Sequence, residues 1–176
     1  MRSGPIALVV LVVGCTAGAS VMLSTIHPWG NLRSGIHPEV PLMDGVAVPD
    51  DVRHVLEEKC GECHSEKTHW PPYSRLAPAS WLMESDVHGA RSKLNMSAWP
   101  LINGEAQVDL LARLAAEARS GAMPPRQYLI LHPAARLTEQ EQQMIYDWAK
   151  AERRRIRSVA NARPGASAGE QGIAKP

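Results

Sequence analysis

Cys60-Gly61-Glu62-Cys63-His64 is a C-x-x-C-H run, and no other stretch of the 176 residues restricts the fold and its contents so tightly. Two thiols three residues apart fall on the same side of a helical turn, so a helix carrying them presents both to one planar group. That spacing suits the two vinyl groups of a porphyrin. It also leaves His64 tethered directly behind the second thioether, where an imidazole becomes the proximal iron ligand at little entropic cost. The run is read as the attachment signal for one covalent haem c, with Cys60 and Cys63 as the thioether positions and His64 as an axial ligand of the iron.

Two other chemistries use C-x-x-C. A zinc site would recruit His69 or another histidine and normally needs a second Cys/His pair at ligand spacing, whereas the one remaining cysteine, Cys15, lies in an apolar leader. A thioredoxin-like pair needs a surrounding βαβ pattern, and none is seen in the sequence.

From Ser3 to Leu32 the chain has no Asp, Glu, Lys or Arg. As a helix, Ile6 to Ile26 would span about 31 Å, enough to cross a bilayer. The first half, Ile6 to Val13, is strongly apolar, while Gly14, Thr16, Gly18, Ser20, Ser24 and Thr25 dilute the second. Three fates stay open: an uncleaved anchor, a signal peptide cut after Ala17-Gly18-Ala19, or a lipoprotein leader presenting Cys15 for acylation. All three export the rest of the chain, in agreement with c-type haem attachment outside the bacterial cytoplasm. The expected location is the bacterial cytoplasmic membrane with the haem domain in the periplasm; the alternatives are a secreted periplasmic protein or a lipoprotein.

The expected organisation is a leader over 1–27, a linker over 28–47, a haem-binding domain over 48–157 and a disordered tail over 158–176. The linker rests on Pro28, Pro38, Pro41 and several glycines without an apolar period, the tail on a stretch rich in Ala, Gly and Pro. A net charge of +1 excludes a generally basic nucleic-acid binder. With five Trp, three Tyr and no Phe, the core must come mainly from Leu, Val, Ala and Met.

Helical signals dominate the domain. Asp50 or Asp51 is expected as N-cap of a helix with Val52, Val55 and Leu56 inward, leading into Cys60. A second helix is expected over Pro78 to Leu94 with Trp81, Leu82 and Val87 inward, and a third over Glu105 to Arg119 with Val108, Leu111, Leu114, Ala115 and Ala118 as its stripe. Gly121 is its C-cap candidate. Thr138-Glu139-Gln140-Glu141 has the pattern of a capping box opening a last helix, with Met144, Ile145, Trp148 and Ala149 on one face. No stretch alternates as a strand. The fold class is therefore all-α, a small cytochrome c-like helical domain around one haem behind an N-terminal membrane helix, with the first and last domain helices packed beside the haem.

An electron shuttle needs a sixth iron ligand, because an open position invites small molecules. Met123 is the favoured axial ligand: it follows the helix end at Ser120-Gly121 and precedes Pro124-Pro125, which holds its backbone extended. His88 is the alternative distal ligand. His69 lies too close to His64 to reach the other face, His132 sits before Pro133 in a turn, and His54 belongs to the surface of the first helix. Met83, Met96 and Met144 read as core.

Cys60-Gly61-Glu62-Cys63-His64-Ser65, Thr68-His69-Trp70-Pro71-Pro72-Tyr73-Ser74, Ala77-Pro78-Ala79-Ser80-Trp81, Asp86 to Arg91, Leu94 to Trp99, and Met123-Pro124-Pro125 with Tyr128 and Leu131-His132-Pro133 occur in that order. In these blocks the chain resembles the small bacterial haem-binding domain family with a C-x-x-C-H motif. The resemblance implies a c-type haem domain, puts Met123 in the place of the Met-Pro element that supplies the distal ligand in many small cytochromes c, and supports the anchor over cleavage. The chain departs from it at Met96, where such sequences tend to carry Phe, and at Ala90 between Gly89 and Arg91.

Arg91 is a candidate propionate contact, and Arg75, Asn95, Trp70, Tyr73, Trp81 and Trp99 suit the same task or the walls of the porphyrin, since guanidinium pairs with carboxylate and indole combines area with one donor. Lys150, Arg153, Arg154, Arg155 and Arg157 crowd the end of the last helix, where the dipole favours positive charge and an acidic redox partner or anionic lipid could dock. The leading function is a monohaem electron carrier with an unidentified redox partner protein rather than an enzyme. A peroxidase-like catalyst or a small-molecule sensor would instead need an open distal side.

Overall fold

The computed structural model describes residues 4–32 and 41–162. The middle of the expected linker and the expected tail from residue 163 onward lie outside the described residues. Among the described residues every regular element is helical and there is no strand, as the all-α reading requires. The chain divides into two compact units, one drawn from Met1–Glu39 and Gly61–Asn95, the other from Val40–Cys60 and Met96–Pro176.

In the first unit, α1 (Gly4–Leu23) is apolar on all sides and has no buried residue. It is the one described helix long and apolar enough to cross a membrane, with a mean hydropathy of 2.5; a signal sequence has the same character. It stops short of Ile26 because the hydroxyls of Ser24 and Thr25 bond back to the carbonyls of Val21 and Met22, ahead of Pro28. The single turn α3 (Gly61–His64), a 3₁₀ turn (Pro72–Arg75) and α4 (Ala79–Lys93) complete the unit. The inward face of α4 includes Val87 as expected but otherwise differs: Ser80 and Glu84 are buried, whereas Trp81 is half-buried and Leu82 is exposed. Glu84 is buried with a partner, His27, whose Nδ1 lies 2.7 Å from Oε1, while Oε2 and the Ser80 hydroxyl have no hydrogen-bond partner among the described residues. Trp81 turns outward to donate its indole N–H to the Ile26 carbonyl at 2.9 Å.

In the second unit, α5 (Gly104–Ser120) and α7 (Glu139–Asn161) form the principal pair. Val108, Leu111, Ala115 and Ala118 of α5 and Ile145, Trp148, Ala149 and Glu152 of α7 are buried, at helical spacing on one side of each helix. Asn103 caps α5 by accepting the Ala106 N–H at 2.9 Å, and Gly121 ends it at φ 68°, a left-handed conformation that glycine adopts without a Cβ penalty. The capping box of α7 forms as expected, Thr138 and Glu141 each accepting the other's backbone N–H. The helix then runs past Arg157 to Asn161, into the stretch assigned to the tail.

α2 (Asp50–Lys59) packs on α7 through Val52, Val55 and Leu56, and Lys59 reaches Glu141 at 2.7 Å. Its cap is Pro49, not Asp50 or Asp51: both acidic residues fall inside the first turn, where the helix dipole favours them. Leu42 and Met43, in the expected linker, are buried, the Met43 N–H donating to the Met96 carbonyl at 2.9 Å. Trp148 adds a bond from its indole to the Ala47 carbonyl at 3.2 Å. The short helix α6 (Arg126–Leu131) and the 3₁₀ turns Met96–Leu101 and Pro133–Ala135 complete this unit.

Candidate functional site

The C-x-x-C-H run straddles the end of α2 and the turn of α3. Cys60, the C-cap of α2, donates its N–H to the Leu56 carbonyl at 3.1 Å. No disulfide joins Cys60 and Cys63, so both sulfurs keep the thiol form that adds to a vinyl group. Burial, reinforced by the Asp86 and Glu62 carboxylates and opposed by Arg91, pushes the Cys63 thiol up to about 11. It stays protonated at neutral pH.

His64 is held by Leu94 at the end of α4: Nδ1 lies 2.9 Å from the Leu94 carbonyl oxygen. A carbonyl can only accept, so Nδ1 carries the proton and Nε2 is left with its lone pair, the tautomer a metal-binding imidazole needs. Burial draws the histidine below its usual value against the opposing pull of the Leu94 and Ala90 carbonyls, and nearby Lys93 lowers it further. The neutral ring is the form present at neutral pH.

The turn after His64 is bonded throughout. Ser65, buried, donates to the Gly61 carbonyl at 2.7 Å and accepts the Lys67 N–H at 3.0 Å, and Thr68 donates to the Glu62 carbonyl at 2.6 Å. Arg91, expected at a propionate, has its guanidinium committed here: Nε to the Ser65 carbonyl at 2.9 Å, Nη2 to the Thr68 hydroxyl at 3.0 Å and Nη1 to Glu66 at 2.8 Å. Asn95 donates to the other oxygen of Glu66 at 2.6 Å. Arg91 projects from the last turn of α4 with its charge among three acceptors within reach, which is why it holds the motif's own loop. Glu66 is the participant sequence reasoning missed; a lone carboxylate in a loop gives no sign of partners 25 and 29 residues away. Ser65 and Thr68 stood in the blocks that carry the family resemblance, without a role.

Of the other expected residues, Met123 is half-buried between α5 and α6, with its N–H toward the Glu117 carbonyl at 3.4 Å and Pro124 buried behind it. His88 and His69 are exposed. His132 stacks on Tyr128 at 4.3 Å between ring centroids, and His54 lies 3.5 Å from Glu58 on the open side of α2. Trp99 is almost wholly buried, yet its indole N–H has no partner among the described residues. A buried donor without an acceptor is costly unless a group outside the chain supplies one. The zinc reading finds no group of three His, Cys, Asp or Glu side chains able to hold a metal ion among the described residues.

The residues of the motif fit a haem: two thiols without a disulfide and an imidazole with Nε2 available. A family model described as a haem-binding domain matches residues 19–151, well over half of the chain. No curated protein and no solved structure matches it.

Proposed function

The chain belongs to the haem-binding domain family, and from that premise we propose that it is a membrane-anchored, periplasmic c-type cytochrome-like protein that carries electrons for a redox partner protein. The observation that carries the proposal is the His64–Leu94 hydrogen bond behind two thiols without a disulfide. Haem iron supplies a one-electron couple; the chain supplies attachment, ligands and burial.

In this reading Cys60 and Cys63 would hold the haem by adding S–H across its two vinyl groups, each sulfur bonding to one vinyl carbon and its hydrogen going to the other, with no oxidant required. His64 would ligate the iron through Nε2. Leu94 keeps the imidazole oriented and slightly more basic, which favours the ferric state. Arg91, Glu66 and Asn95 hold the turn so that this orientation survives a change of iron charge. Trp99 offers its N–H to a propionate. Met123, which stands outside any helix ahead of a buried proline, would give its thioether to the iron as the second ligand. Met with His favours a higher potential than an all-nitrogen shell. With both His64 and Met123 given to the iron, no open position would remain for a substrate, which is why electron transfer is preferred to catalysis. The cations near the end of α7 are the docking side for an acidic partner, although Arg155 is already paired with Glu152 at 2.6 Å.

A reduced pyridine-haemochrome and visible spectrum of the membrane fraction tests the reading. The expected result is haem that resists acid-acetone extraction, is lost in a Cys60→Ala/Cys63→Ala variant, and is low-spin and indifferent to CO when reduced. Extractable haem would overturn covalent attachment, and rapid CO binding would overturn the carrier.

A further inference from the structure

We infer that the face carrying Leu76 and Leu82 lies on the membrane, seated at the boundary between headgroups and acyl chains where α1 leaves the bilayer. The inference rests on the anchor reading of α1. Gly4–Leu23 is 20 residues long, about 30 Å at 1.5 Å per residue, which equals the thickness of a bilayer's hydrocarbon core.

The end of this helix is built onto the segment that follows the haem motif. Ser20 donates its hydroxyl to the Ala77 carbonyl, Trp81 donates its indole to the Ile26 carbonyl, and His27 meets the fully buried Glu84. Residues 20–27 therefore run alongside residues 77–84. Ser20, Ser24 and His27 are the half-buried positions of that stretch, while Val21, Met22, Leu23 and Ile26 stay exposed. A helix end with its polar side on protein and its apolar side open is arranged for a lipid surround.

Depth follows from the same contacts. Ser20 is three residues from the end of α1, about 4.5 Å along the axis, so Ala77 sits at the interfacial level once the helix spans. Leu76, 47 % exposed, is the next residue to Ala77, and Leu82, 61 % exposed, is next to Trp81. Arg75, also exposed, precedes Leu76 and can lay its methylenes along the acyl boundary with its guanidinium among phosphates. Trp29, exposed just beyond the helix, is of the residue type enriched at this depth. A phospholipid surface is the occupant chosen over a second protein because these residues continue the apolar surface of α1 through bonded contacts.

The test uses the full-length, haem-loaded protein in phosphatidylethanolamine–phosphatidylglycerol vesicles doped with a phosphatidylcholine bearing a diazirine on its acyl chain, labelled sites being read by peptide mass spectrometry. Labelling of 4–23 together with 76–82 is expected. In Leu76→Glu/Leu82→Glu the second signal should fall several-fold and the first stay constant; both side chains are exposed, so the fold is untouched. A retained α1 with 76–82 unlabelled overturns the docking and leaves the anchor standing. A mature chain beginning at Ser20, or at an acylated Cys15, overturns the inference at its premise. A haemochrome from the same sample reports independently on covalent haem.

Discussion

The imidazole Nδ1 of His64 stands 2.9 Å from the carbonyl oxygen of Leu94, thirty residues along the chain, and a ring of side chains locks the neighbours of both residues. On one side, the Ser65 carbonyl accepts from Arg91; on the other, the Asn95 amide donates to Glu66; the Arg91–Glu66 ion pair closes the ring. Neither α3 nor the end of α4 can shift without breaking a charged hydrogen bond. A single backbone acceptor is thereby held still opposite an imidazole that must not rotate.

Arg91→Ala should destabilise the protein by about 3 kcal/mol, since it removes hydrogen bonds to charged and backbone acceptors and leaves Glu66 without its cation. Glu66→Gln, which keeps an acceptor for Asn95, should cost about 1 kcal/mol. Urea unfolding of the two variants and of Arg91→Ala/Glu66→Gln gives the coupling. A double variant that is simply the sum of its parts would show that the pair does not act as a unit.

Trp99→Phe separates two accounts of an orphaned indole. If the N–H serves a propionate, its removal leaves that carboxylate more fully charged, which stabilises ferric iron and lowers the reduction potential, while packing loss stays near 1 kcal/mol. Potentiometric titration of the haem-loaded variant reads the shift. An unchanged potential together with higher stability would mean that the donor has no partner in the holoprotein either.

Period and capping chemistry made α5 and α7 legible in the sequence, down to Gly121 and the reciprocal bonds of Thr138 and Glu141, because those signals are local. The two thiols and the imidazole of the motif are local in the same way, all within one run of five residues. What the sequence did not disclose depends on distant partners. On α4 the apolar character of Val87 matched its burial, but that of Trp81 and Leu82 misled, and Glu84 is buried beside His27, 57 residues earlier. Leu42 and Met43 were hidden among prolines and glycines, with no period to show that Met43 meets Met96. Arg91 was recognised as important by its chemistry, but its acceptors lie in a loop 23 to 26 residues before it.

The Glu141 carboxylate should set part of the acid limit of stability. Its burial raises the pKa, but hydrogen bonds from Lys59 and Thr138 outweigh that and hold it below the usual range. A depressed folded value means that the stabilisation is complete above the unfolded carboxylate value, near 4.3, and is lost as pH falls through the folded one. The wild type should therefore weaken below about pH 4.3 more steeply than Glu141→Gln, with a difference near 1 kcal/mol between pH 7 and pH 3. Parallel curves from thermal melts at several pH values would remove Glu141 from the account.

Met123 follows a helix end that only glycine satisfies without strain, since Gly121 has φ 68° and its nearest side-chain neighbour to an added Cβ, Gln142, is 4.0 Å away. Backbone conformation rather than space is what a larger residue would violate, so Gly121→Ala should cost about 1 kcal/mol yet keep the ferric spectrum of the wild type. Met123→Ala should act the other way: little effect on unfolding, because the side chain is half-buried, but loss of the weak red band of methionine-ligated ferric haem and new CO binding by the reduced form. Met123→His should restore a low-spin state at a lower potential, since nitrogen replaces thioether. If the wild type lacks that band and His88→Ala changes the spin state instead, the opposite ligand is His88 and not Met123.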